Sequence, residues 1–196
     1  MNTTSLFVEL LVIGVGGMMW LMLGLAAVFD LGPLLSQFVH LPANALLMMF
    51  GPVTALTYVI GIVLDRTADG LFDVEARRLG RKDFFAGANK EEARQARTAI
   101  YCRSDRLADL YEYGRSRLRI CRGSCLNIVM LILAADGFLL THASDFAHSG
   151  RLMAAVTAGG ALVAAGAYWA WRRLLRSESA WLHTQAEVMK AEGRNV

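Results

Sequence analysis

Four apolar runs constrain this chain before any other property. Ser5 to Phe29 carries one charge, Glu9, and Ala43 to Leu64 carries none. A third run starts near Leu126 and reaches Thr141, interrupted by Asp136, and a fourth from Leu152 to Trp171 is uncharged. A helix crosses a bilayer with roughly 20 mostly apolar residues, so each run is read as a membrane span. The stretch MNTTSLF lacks the basic leader of a secretory signal, and the run behind it exceeds such a signal's core, so the first helix is expected to be retained. A mean hydropathy of +0.39 over 196 residues argues against a large soluble enzyme with a membrane tail.

Lys and Arg placement sets the direction of the spans, because basic residues beside short spans are held on the cytoplasmic side. Fourteen of the 20 lie between Arg66 and Arg122, five follow the fourth span, and Arg151 alone falls on the other face. Both termini are therefore expected in the cytoplasm of a cell whose inner membrane holds the protein. The expected class is an all-α membrane protein with four transmembrane helices, the third extended into the cytoplasm as a long helix. Residues 1–65 would hold helices one and two, 66–122 a cytoplasmic helical loop, 123–176 helices three and four, and 177–196 a cytoplasmic tail.

The loop carries 14 basic against 9 acidic residues. Its first half, LFDVEARRLGRKDFFAGANK, reads as a short surface helix and a turn, with Phe84 and Phe85 placed to rest among headgroups. In its second half Ala93, Ala96, Ile100, Leu107, Leu110, Tyr111, Gly114, Leu118, Cys121 and Cys125 recur at three- and four-residue steps. No proline interrupts Glu91 to Thr141, so one rod is predicted, extending the third span inward by about 45 Å, with Gly114 and Gly123 as candidate bends. Such a stripe needs cover from the loop's first half, the tail or a second copy of the chain. Ile100, Leu107, Tyr111 and Leu118, with Gly159 and Gly160 of the small-residue fourth span, are the expected oligomer contacts.

Arg115, Arg119 and Arg122 share a helix face at the inner leaflet. They are expected to hold anionic lipid, at about 1 kcal/mol per basic residue. A sharper reading closes an anion or partner site with Arg77, Arg78, Arg81 and Lys82. No Walker loop or dinucleotide-type glycine pattern follows a strand, and direct nucleic-acid contact is not favoured, since topology already requires the same charge.

Cys121 and Cys125, one turn apart, offer two sulfurs to a soft metal, but Cys102 is about five turns away, so packing is the simpler reading and no metal or cofactor is expected. Glu9 is expected at headgroup level. Asp136 is deeper and needs either its neutral form or a partner such as Thr157 or Asn44; it is read as a structural polar contact or a pore-lining acid. Pro52 should kink the second span.

No histidine lies in the loop, and Ser104, Ser116 and Ser124 have no recognisable base, so an enzyme is not expected. Alternating-access transport lacks an internal repeat. The layout is similar to that of large-pore channel families, without a shared motif. The expected function is thus a homo-oligomeric bacterial inner-membrane protein whose cytoplasmic helices couple a signal or partner to a pore or membrane disturbance. Small proteins of this plan serve as membrane subunits in bacterial defence systems. The alternative is a scaffold that recruits a soluble enzyme or nucleic-acid-binding protein.

Overall fold

The computed structural model describes residues 3–29, 42–83, 98, 105–143 and 148–191. They form four long helices, α1 (Thr3–Val28), α2 (Ala43–Asp83), α3 (Asp105–Thr141) and α4 (Ser149–Ala191), and no strand occurs among the described residues. All four are long and apolar enough to cross a membrane. Only a helix satisfies its own backbone N–H and C=O groups in hydrocarbon, so an uncharged run of this length has no competing local structure there.

The helix at the centre of the packing is α3, which touches the other three. On one side it lies against α1, which in turn crosses α2; on the other it lies against α4. At the α1–α2 crossing Gly14 and Gly61 bring the two backbones together. A Cβ built on Gly61 would run into the Leu10 carbonyl, and one built on Gly14 into that of Thr57. Without a hydrophobic drive between helices in lipid, close backbone approach of this kind supplies the dispersion contact that holds them. On α4, Gly160 leaves room for the Ile132 side chain of α3, which fills the space above it.

Much of the remaining apolar surface is open. Leu47 is 76% exposed, Met48 78%, Leu133 61% and Leu162 75%. Open aliphatic surface on this scale fits four helices long and apolar enough to span a membrane.

Two features differ from expectation. The predicted short surface helix is one helix with the second span, because α2 continues through Gly80 to Asp83, and the rest of the predicted turn lies outside the described residues. Pro52 lies within this helix. The tail is not separate either: α4 runs to Ala191. The third helix passes through Gly114 and Gly123 without interruption, while Ile100, Phe84, Phe85 and Cys102 lie outside the described residues.

The apolar stripe of α3 also has its cover. Tyr111 and Leu182 are buried together, with Leu107 and Trp181 packed against them. Of the three candidate covers, the tail is the one that shields the stripe at Leu107 and Tyr111, so this stretch no longer needs a second copy of the chain.

The Gly61 crossing has a direct test. Gly61→Ala should lower the melting temperature in nanodiscs, with overpacking costing about 1–3 kcal/mol. Gly24→Ala, where nothing lies within 4 Å, should melt like the parent.

Candidate functional site

The polar centre of the molecule is a charge cluster in which α1, α2 and α3 meet. From α3, Arg119 Nη1 donates to Glu9 Oε2 of α1 at 2.9 Å, and its Nε lies 3.6 Å from Asp65 Oδ2 of α2. Arg122, one turn further, donates from Nη2 to Asp65 Oδ1 at 2.9 Å and from Nη1 to Asp69. Asp65 is therefore shared between both guanidiniums. The spacing explains the match: Asp65 and Asp69 are four apart on α2, Arg119 and Arg122 three apart on α3, so each pair presents one face to the other.

Burial decides what the cluster is worth. The Glu9 and Asp65 side chains are 8% and 6% exposed and the two arginines 18%, while Asp69 is 48% exposed. An exposed ion pair contributes little, but removing one partner of a buried pair strands the other charge in a poor solvent, at a cost of about 3–5 kcal/mol.

The cluster also sets a level. From Glu9 to Phe29 and from Arg122 to His142 is 20 residues each, and from Arg151 to Arg172 is 21. At 1.5 Å per residue these are about 30 Å, the thickness of a hydrocarbon core. Just inside that level Asn127 joins α3 to α1: its Nδ2 donates to the Ile13 carbonyl at 2.8 Å and its Oδ1 accepts from Trp20 Nε1 at 3.2 Å. Near it Phe72 of α2 meets Trp171 of α4 edge to face, ring centroids 4.8 Å apart. Beyond it α2, α3 and α4 continue for about 27, 26 and 29 Å respectively.

The residues singled out from sequence are only partly united by this arrangement. Arg119 and Arg122 are spent on internal carboxylates and turned inward, rather than presented to the leaflet or a free anion. Arg115 lies over the Tyr111 ring at 5.9 Å and is exposed. Arg77 is exposed and pairs with Asp73, and Arg78 is exposed. Arg81 and Lys82 belong to α2, but their side chains lie outside the description. Glu9 is a buried ion-pair partner of Arg119. Among the expected packing residues, Leu107 and Tyr111 pack within the chain, Leu118 is half-buried, Gly160 meets Ile132, and Gly159 has nothing within 4 Å.

In the outer part of the spans Thr157 Oγ1 of α4 lies 2.8 Å from Asp136 Oδ2 of α3. Thr157 is one of the two partners expected from sequence. Cys125 donates its thiol to the Ala164 carbonyl at 3.6 Å, a packing contact between α3 and α4. No group of three or more His, Cys, Asp or Glu placed to hold a metal occurs among the described residues. Asp65, Asp69 and Asn127 were not anticipated. Their signal was a pair of aspartates at helical spacing directly after an apolar run, matching the arginine pair before the next one.

No known protein family, curated protein or solved structure matches this chain.

The account of the cluster makes a quantitative prediction. Arg119→Met should destabilise the protein by about 3–5 kcal/mol, because the buried Glu9 then loses the guanidinium that donates to it. Adding Glu9→Met should recover part of that loss. A double-mutant cycle read by thermal melting in nanodiscs measures the coupling; strictly additive effects would separate the two residues.

Proposed function

We propose that this protein is a multi-pass inner-membrane platform that holds a helical extension in the cytoplasm for a soluble protein partner. The extension is assigned to the cytoplasm because the basic residues concentrate at that end of the spans. One observation carries the reading: α2, α3 and α4 run on past the charge cluster while retaining exposed apolar side chains there. Leu71 and Val74 on α2 are 62% and 57% exposed, and Leu110 and Tyr113 on α3 are 52% and 62% exposed. Unlike the aliphatic residues of the spans, these lie beyond the 30 Å apolar slab, where lipid does not cover them, and apolar groups left in water mark contact surfaces.

A recruiting role is favoured over a self-assembled stalk because the best argument for the stalk was the uncovered stripe, and Trp181 and Leu182 of the same chain cover it at Leu107 and Tyr111. No catalytic role is assigned.

A second reading is an oligomer of this chain that couples the extension to a pore or membrane disturbance, as in a defence-system membrane subunit. Its support lies in α4, whose face through Ala155, Gly159 and Gly166 is exposed, with nothing within 4 Å of either glycine. Small residues open to lipid are a common helix-association surface. In both readings anionic lipid would meet exposed cations at the boundary, such as Arg173, which lies 5.6 Å over the ring of Trp169.

Cross-linked capture from native membranes tests the first reading. One soluble protein should be recovered in stoichiometric amount, and Leu110→Ser with Tyr113→Ser should reduce that recovery at least tenfold without changing the melting temperature. Equal recovery with these substitutions, or recovery of no soluble protein, would count against it. The second reading expects a tetramer or larger ring in nanodiscs and ion flux above that of empty liposomes, with Asp136→Asn changing cation preference.

A further inference from the structure

Where the extension of α4 lies on α3, a carboxyl is seated on bare backbone. A Cβ built on Gly114 of α3 would run into the Glu178 side chain of α4, meeting the carboxyl carbon and both oxygens alike. Gly114 is buried and Glu178 half-buried, so the carboxyl is laid against α3 rather than held out in water. Four residues further along α4, Leu182 is buried with Tyr111, and Trp181 packs beside them. The two contacts are neighbours on one seam, because Gly114 stands three residues after Tyr111 and Glu178 four before Leu182.

In this seat a negative charge has little to stabilise it. Among the described residues no donor lies within hydrogen-bond reach of Glu178. Burial pushes its carboxyl above the ordinary value of 4.5, and the Arg117 guanidinium pulls it part of the way back. Arg117 is exposed and lies 5.5 Å over the Tyr113 ring. The other charged groups of α3 within a turn of Gly114 are Glu112 and Arg115, and Arg115 lies over Tyr111. On α4, Arg176 precedes Glu178 and His183 follows it, 3.8 Å from Glu187. The ring contacts of α2 with α4 are made by Phe72 at Tyr168 and Trp171, about two turns or more before Glu178. Among the described residues α1 does not touch α4.

A carboxyl that holds its proton more tightly in the docked helix than in the free one makes docking depend on pH. Its contribution is complete below 4.5 and is lost as the pH rises through the higher, docked value.

We propose that Glu178 and Gly114 form a proton-sensitive clasp that fastens the extension of α4 to α3. With the carboxyl neutral, the helix lies closed over Tyr111. With it ionised, the carboxylate turns to water, the last turns of α4 come away, and Tyr111 and Leu182 are uncovered. The clasp is built from contacts within the extension and rests on neither functional reading above.

Hydrogen exchange of the full chain in nanodiscs, followed by mass spectrometry from about pH 4.5 to 8, reads the opening equilibrium of residues 179–191 once the intrinsic rate at each pH is divided out. In the parent that equilibrium should rise by about threefold or more across the range. The rise should be missing from Glu178→Gln, whose amide is neutral throughout. A contribution from His183 is common to both proteins and drops out of the comparison. Arg117→Gln should move the midpoint of the rise to higher pH, because the cation that favoured ionisation is gone. Gly114→Ala should open the segment even at the acid end, since the seat is then filled. Identical pH profiles for the parent and Glu178→Gln would overturn the proposal, as would a Gly114→Ala segment protected like the parent's in acid. Should Glu178→Gln not fold, Arg117→Gln decides, and an unmoved midpoint there counts equally against the clasp.

Discussion

A buried guanidinium must be paired, and that requirement governs how three of the four helices meet. Arg119 and Arg122 stand at the point where α3 leaves its apolar run, and the carboxylates they find come from α1 and α2. Each helix therefore has one position along its axis at which its charge is satisfied. In lipid, where apolar side chains gain little by preferring one another over acyl chains, such a register constraint does what hydrophobic burial does in water. The glycine crossing at Gly14 and Gly61 and the Asn127 contacts then close the remaining gaps around α1.

The same cluster separates the molecule into two physical regimes. On one side lie about 30 Å of apolar helix, with open aliphatic surface and hydrogen bonds confined to few side chains. On the other, α2, α3 and α4 continue as charged, amphipathic rods, where Tyr111 and Leu182 make a small core of the ordinary aqueous kind. Because the helices are continuous across the boundary, displacement of the extension cannot be absorbed by a loop at that level. It has to be resisted by the ion pairs or passed into the spans.

Much of this was legible in sequence. Uncharged runs of 20 residues announce spans, and the three- and four-residue recurrence from Leu107 to Cys125 announced the helix that continues from the third. Asp136 was recognisable as a carboxyl needing its neutral form or a partner such as Thr157 or Asn44, because few polar side chains occupy the apolar runs, and Thr157 is the one it meets. What escaped was pairing at a distance. Glu9 and Arg119 are 110 residues apart, and nothing local at either position distinguishes an interfacial anchor from half of a buried salt bridge. Gly80 was read within a short surface helix and turn, yet the cost of a glycine inside a helix is only about 1 kcal/mol, and α2 continues through it. The tail was one of three covers open to the stripe, and sequence alone did not show that Trp181 and Leu182 are the residues that meet α3.

The central claim, that the charge cluster holds spans and extension in a single register, is tested most directly by a distance between two extension helices. Spin labels at Val74 on α2 and Val188 on α4, with Cys102, Cys121 and Cys125 replaced by alanine, would be measured by pulsed electron resonance in nanodiscs. The account predicts one narrow distance in the parent and a broad distribution once Arg119 and Arg122 are both changed to Gln. An unchanged narrow distance in that variant would contradict it, and would move the origin of the register to the packing of α3 against α4.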